Sequence, residues 1–356
     1  MATLAKPGWL AEHLPGLDGL RGLAIALVLL HHCAPRLVTL GLGAVADWGW
    51  TGVDLFFVLS GFLITGIVLD GRQAPLFFRN FYARRGLRIL PVFALVLVVN
   101  IVVYGRGNTW SRPGPYWLYF VLFIHNLTPG LTGTIYPSWS LAIEEQFYAV
   151  WAPVARRLPA RAMALLLLAV LAAEPWVRHH VSWFVTTNTL YHLDGLAIGA
   201  LIALALRCRA WTRLRWASLG LAAMAVGLVG FVAAVRWEGP AVDSFVAITG
   251  GGLLLWAATG RRRLFELRWL RWLGKISYSL YLCHMLVFAI IGSLDKHMDA
   301  IHAGAWGDAL IVVTRLVLSL AVAAALWRWY EGPILRLKRH FPARALRAPE
   351  AAAARG

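Results

Sequence analysis

Apolar residues fall into runs of membrane-spanning length, separated by short segments rich in arginine. The runs lie at about 17–40, 50–69, 87–104, 138–155, 162–173, 191–206, 216–235, 241–259, 276–294 and 308–330, with a shorter one at 115–127. A helix needs about 20 apolar residues to cross a bilayer, so most of these runs suffice or nearly suffice. The segments with Arg79, Arg84, Arg85 and Arg88, with Arg156, Arg157 and Arg161, with Arg207 to Arg215, with Arg261 to Lys275, and the tail after Glu331 are expected on the cytoplasmic side. All five can share that side only if residues 115–155 cross once. The pattern therefore predicts ten crossings with both termini cytoplasmic. Pro115–Leu127, flanked by Pro113, Pro129 and Gly130, is expected to be re-entrant or interfacial. The predicted fold class is an all-α, polytopic integral membrane protein: about ten transmembrane helices around a central polar cavity. Residues 1–16 would form a cytoplasmic segment, 17–335 the membrane domain, and 336–356 a basic, disordered tail.

Composition supports that class. In 356 residues, 60% are hydrophobic and 14% charged, too apolar for a pair of soluble domains. The formal charge of +17 would suggest nucleic acid in a soluble protein, but here the arginines mark loop sidedness, and no nucleic-acid partner is expected. Cys33, Cys208 and Cys283 lie in or beside apolar runs without CxxC spacing, so neither a disulfide framework nor a metal site is expected. Ala44-Val45-Ala46 imitates a signal-peptidase site but lies far past the apolar stretch, and the first span is expected to stay uncleaved. No Walker loop, dinucleotide fingerprint or HExxH is present, which argues against an ATP-driven pump or an intramembrane zinc protease.

The chemistry is carried by ionisable residues inside apolar runs. Each costs about 2.5–3.5 kcal/mol at bilayer depth on insertion scales, a cost that function more readily explains than folding. In the first run, eleven residues at about 100° each separate Arg21 from His32, three turns plus roughly 20°, so the two share a face with Asp18 while His31 points elsewhere. PSWSLAIEEQFYAVW places Glu144 and Glu145 inside another helix. A role for Glu144 as acid, base or proton carrier and a salt bridge to an arginine remain equal alternatives. GWTGVDLFFVLSGFLITG carries Asp54 near its outer end, and its small residues favour close helix packing. Arg85 and Arg88 stand about one turn apart at a cytoplasmic mouth, as topology signals or as fixed donors to a phosphorylated ligand. YHLDGLAIGALIA contributes His192 and Asp194. KISYSLYLCHMLVF contributes His284, for which a hydrogen-bonded core position is the plainer alternative, and WYEGP ends the last span with Glu331 as a structural terminus.

LDGLRGLAIALVLLHH, GVDLFFVLSGFLI, ARRGLRILP, PSWSLAIEEQFY, HLDGLAIGALIA, GKISYSLYLCH and YEGP, in that order across residues 14–340, resemble the acyltransferase 3 family of bacterial integral-membrane O-acyltransferases. The resemblance implies ten spans, a cytoplasmic acyl-CoA donor, and transfer of an acetyl or other short acyl group to a hydroxyl, usually on a sugar. It also implies roles for the Arg-ten-residues-His pair (Arg21 and His32), the RxxR pair (Arg85 and Arg88) and the glutamate of WSLxxE (Glu144). One departure is that many relatives have arginine two residues before the aspartate matched by Asp194, where this chain has His192. Many relatives also carry an esterase-like domain after the last span. This sequence ends about 25 residues past Tyr330, so none is expected here.

Both lines give an expected mechanism. The rise from Arg21 to His32 is about 16 Å, so the two must divide the labour. Arg21, Arg85 and Arg88 would meet the phosphates of coenzyme A, while neutral His32 removes the proton from the acceptor hydroxyl as it attacks the thioester; an acyl-imidazole intermediate is the alternative. Glu144 would orient acceptor or imidazole, Asp18 would pair with Arg21, and Asp54, Asp194 and His284 would support the site. Acyl-CoA, most simply acetyl-CoA, is the expected co-substrate, with no tightly bound cofactor. The acceptor is open among polysaccharide, peptidoglycan, glycolipid and secondary metabolite, and the expected location is the bacterial cytoplasmic (inner) membrane. The alternatives are a carrier or flippase of a saccharide or lipid-linked intermediate, and an assembly subunit.

Overall fold

The computed structural model describes residues 14–104, 116–128, 135–180, 187–208, 215–237, 239–259, 262–298 and 304–342. The chain start, most of the basic tail, and Pro113, Pro115, Pro129 and Gly130 around the expected re-entrant piece lie outside them. The described residues are helical: α1 (Pro15–Leu37), α2 (Gly43–Asp47), α3 (Thr51–Asp70), α4 (Phe77–Tyr104), α5 (Tyr116–Val121), α6 (Ser138–Arg157), α7 (Ala160–His180), α8 (Leu193–Ala205), α9 (Trp216–Arg236), α10 (Val242–Thr259), α11 (Arg268–Met298), α12 (Ala305–Leu326) and α13 (Gly332–Leu335).

Each of the ten apolar runs coincides with a helix. Among the described residues eight are long and apolar enough to cross a membrane; α8 is apolar but shorter, and α6 is interrupted by Glu144, Glu145 and Gln146. The run at 115–127 folds as the six-residue α5 and one short 3₁₀ turn, His125–Leu127. Three helices extend past their expected ends. α4 begins at Phe77 rather than 87, with Arg156 covering the rings of Phe77 and Phe78 at 4.9 and 5.1 Å. α7 continues beyond 173 through Glu174, Pro175 and Arg178 because those charges find partners inside the bundle. α11 begins at Arg268, so residues expected in a loop occupy its first turns.

Burial sorts the helices into a centre and a rim. The apolar windows of α3 and α11 are each 67% buried, those of α7 and α9 only 17%. α1 packs against α3, α10, α11 and α12; α3 also packs against α6 and α8; α9 lies on α10 and α7 on α8. The rim helices present Leu165, Leu168, Val226, Val229 and Val232 outward, as a lipid-facing surface requires.

Helices without a large hydrophobic drive between them approach through small residues. A Cβ at Gly61 would strike the Leu196 carbonyl, so α3 and α8 meet backbone to backbone. A Cβ at Gly274 would strike the Asp18 carbonyl, and one at Gly22 the Leu270 carbonyl, which fixes α1 against α11. Substituting Gly274 by Leu should therefore force α1 off α11 and yield protein that does not run as a single species on size-exclusion chromatography. Gly250→Ala, whose Cβ would meet only ordinary contacts at 3.5 Å or more, should behave like the parent. Equal behaviour of the two variants would show that this contact does not set the packing.

Candidate active site

His32 sits near the far end of α1, half-buried, with Nδ1 2.8 Å from the Val28 carbonyl one turn back. A carbonyl can only accept, so Nδ1 carries the hydrogen and Nε2 holds the lone pair. His31 is turned away, its Nδ1 bonded to the Asp47 carbonyl at 2.9 Å, as helix geometry predicted. Opposite His32 stands His284 of α11, with ring centroids 4.8 Å apart and planes inclined at 67°. His284 is fully buried, and its Nδ1 lies 2.8 Å from the Tyr281 carbonyl and 3.1 Å from that of Leu280, so it too is the Nδ1–H tautomer. Tyr281 is anchored to the Pro137 carbonyl at 2.9 Å and to the Ser140 hydroxyl at 2.6 Å, tying this end of α11 to the start of α6.

Glu144 on α6 is fixed from two sides: Ser60 of α3 donates to Oε1 at 2.6 Å and Tyr148 to Oε2 at 2.9 Å. Arg85 lies over the Tyr148 ring, 4.8 Å from its centroid, so it reaches the carboxylate through the phenol. Among the ionisable groups whose fields reach Arg21 are Arg88, Glu144, Tyr148 and Arg85. Arg88 pairs with Glu331 at 3.3 Å, and Glu331 also accepts from Ser279 at 2.6 Å. Glu331, expected to be a plain terminus, is 2% exposed and closes a turn of π-helix, Trp327–Glu331, that carries the end of α12 back onto α4 and α11.

Below this network opens a cavity of about 700 Å³ lined by Arg21, Arg88, Arg268, Arg271, Lys275 and Arg336, with Asp18 alone of opposite sign among the described residues. Arg21 Nε and Arg271 Nε are buried there without a hydrogen-bond partner among the described residues. Lys275 lies over the Trp327 ring at 4.1 Å. Six cations around one carboxylate among the described residues, with unused donors, could hold a polyanion, and planar guanidinium groups suit phosphate in particular. Of the three arginines expected to meet phosphate, Arg21 and Arg88 line this wall, while Arg85 lies over Tyr148. The sequence reading missed Arg268, Arg271, Lys275 and Arg336, whose signal was only the density of basic residues before the 276–294 run and after the last one.

Asp54 and Asp194, expected to support the site, belong to a second buried group. Arg178 of α7 donates to Asp194 Oδ2 at 2.7 Å, to Ser244 at 2.9 Å and to the Tyr191 carbonyl at 2.7 Å. It also lies 3.7 Å from Glu174 and 3.4 Å from Asp243. The fields of Asp243, Asp194 and Arg178 reach Asp54 on α3. His192, where the resemblance places an arginine, packs on Trp139 and Phe57 at 4.9 and 5.7 Å, and the guanidinium beside Asp194 is that of Arg178 on α7. Among the described residues no three His, Cys, Asp or Glu side chains are grouped to hold a metal ion.

A peptidoglycan O-acetyltransferase, OatA, of Listeria monocytogenes is 25% identical over 371 aligned positions, covering 91% of this chain and 56% of that protein. A putative peptidoglycan O-acetyltransferase, YrhL, of Bacillus subtilis is 36% identical over 155 positions, 39% of this chain and 23% of that protein. A putative O-acetyltransferase of Staphylococcus aureus strain COL is 29% identical over 159 positions, 38% and 24% respectively. The chain thus spans at most about half the length of these relatives. No solved structure matches. A family described as an acyltransferase domain matches residues 14–328, which takes in α1, the Glu144 helix and both histidines, and the chain belongs to that acyltransferase 3 family.

Proposed function

We propose that this chain is a membrane O-acyltransferase that takes an acetyl or other short acyl group from acyl-CoA and places it on a carbohydrate hydroxyl. Peptidoglycan is the acceptor class that the relatives' names favour. The observation that carries this reading is the cationic cavity on the same helix face as His32: Arg21 lines it, and His32 lies about 16 Å further along α1. The nucleotide phosphates of the donor fit the cluster of Arg21, Arg88, Arg268, Arg271, Lys275 and Arg336, and an extended pantetheine arm would follow α1 towards the imidazole.

In this reading the acceptor O–H gives its proton to His32 Nε2 as its oxygen forms a bond to the thioester carbonyl carbon. The C–S bond then breaks, and the departing thiolate takes the same proton, leaving an ester, free CoA thiol and neutral His32. Glu144, held by Ser60 and Tyr148 and within the field of Arg21, would line the wall between the phosphates and the reacting carbonyl.

The test is purified protein in detergent or nanodiscs with acetyl-CoA, following thiol release with and without glycan fragments. Arg271→Gln and Arg268→Gln should each raise the apparent KM for acetyl-CoA about tenfold, the order expected when one hydrogen bond to a charged group is lost. The rise should shrink for a donor lacking the 3′-phosphate or the adenosine end. An unchanged KM in both variants would remove the cavity from donor binding.

A further inference from the structure

We propose that the cationic cavity contains a purine-base subsite with Trp272 as its platform: the adenine of the donor stacks on the open indole while the phosphates meet the arginines beside it. This rests on the reading of the cavity as the acyl-CoA site and goes beyond it by naming the residue that recognises the nucleoside.

Trp272 and Trp327 both line the cavity, but they are placed differently. Lys275 lies over the Trp327 ring at 4.1 Å, so that half-buried indole already holds a cation. Trp272 is 46% exposed, and among the described residues no aromatic ring or cation covers it. Phosphate gives such a surface nothing to bind. Coenzyme A has one aromatic ring system, its adenine, and a flat base presents a π-face that an indole can stack on.

Helix geometry supports the placement. Arg268, Arg271, Trp272 and Lys275 fall within about 100° of one another around α11, so the indole and the cations share a face. Arg268 stands one turn before Trp272, where its guanidinium can close over the other side of a stacked base. Trp272 precedes His284 by about 18 Å along α11, at the same end of the bundle as Arg21. A base held there lies beside the phosphates and leaves the path along α1 to the pantetheine arm. Trp269, on the same first turns of α11, is the contrast: it is 61% exposed, does not line the cavity, and has the exposure of an interfacial anchor.

The experiment uses the full chain in nanodiscs and measures equilibrium binding of CoA, ADP and pyrophosphate to the parent, Trp272→Leu, Trp272→Phe and Trp269→Leu. ADP and pyrophosphate carry the same pair of phosphates with and without the base. The expected result is that CoA and ADP each bind Trp272→Leu about tenfold more weakly, the order expected when a base loses its aromatic platform, while pyrophosphate binds it as it binds the parent. Trp272→Phe should recover most of the loss and Trp269→Leu should match the parent. Equal weakening of ADP and pyrophosphate would make Trp272 a packing residue of the wall. Unchanged binding of CoA and ADP would place the base elsewhere, and the same loss in Trp269→Leu would make the effect one of membrane anchoring; each result overturns the proposal. The parent separates the two levels, since failure to bind any of the three ligands overturns the donor reading of the cavity itself, whereas CoA binding that survives intact in Trp272→Leu overturns only the base subsite.

Discussion

Replacing His32 with Ala is expected to lower acyl transfer by at least about 10²-fold, the lower bound for removing a general base, while the protein inserts and purifies as before. The second half of that expectation follows from the environment. Among the described residues His32 bonds only to the carbonyl of its own helix one turn back and rests against His284, and removing a polar side chain from an apolar helix favours burial. Donor binding should also survive, because the cationic cavity begins about three turns away at Arg21. The measurement is kcat for acetyl-CoA with a glycan acceptor, alongside equilibrium binding of CoA. Turnover within a few-fold of the parent would refute the base assignment.

Arg178→Ala should have the largest effect on stability. That one guanidinium serves Asp194, Glu174, Asp243, Ser244 and the Tyr191 carbonyl while only 6% exposed. Removing one partner of a buried pair costs about 3–5 kcal/mol because the remaining charge is left uncompensated, and here several carboxylates lose a common cation. Such a loss approaches the whole stability of an ordinary domain. The apparent Tm in detergent should fall steeply, and Arg178→Lys should recover only part of it, since an ammonium cannot reproduce the planar set of donors. A Tm close to the parent in Arg178→Ala would mean that these carboxylates do not depend on the cation. The pairing also explains why α7 runs through Glu174 and Arg178 where periodicity alone ends it: the charges are solvated by one another.

What could be read from the sequence was whatever depends on local pattern. Ten apolar runs became ten helices because span length and hydropathy are properties of neighbours in the chain. Arg21, His32 and Glu144 stood out because each is ionisable inside such a run; in the structure the field of Glu144 reaches Arg21, while His32 lies further along α1 against His284. Residues whose meaning lies in a partner far along the chain were not legible. Arg268, Arg271 and Lys275 read as topology charges until Gly274 docks on Asp18 and turns the first helical turns of α11 into a cavity wall. Glu331 read as a terminus because no periodicity announces the turn of π-helix that carries it to Arg88. Asp54 and Asp194 stood out as carboxylates in apolar runs, but the pairing of Asp194 with Arg178, whose field also reaches Asp54, needs α3, α7 and α8 together.

The most direct measurement follows a labelled acyl group in vesicles containing the purified protein, with acyl-CoA on one side and a glycan acceptor present. The account predicts one ester gained on the glycan for each CoA thiol released, both lost together in His32→Ala. Movement of the glycan across the vesicle wall with no ester formed, or thiol release indifferent to the acceptor and to His32, would contradict it.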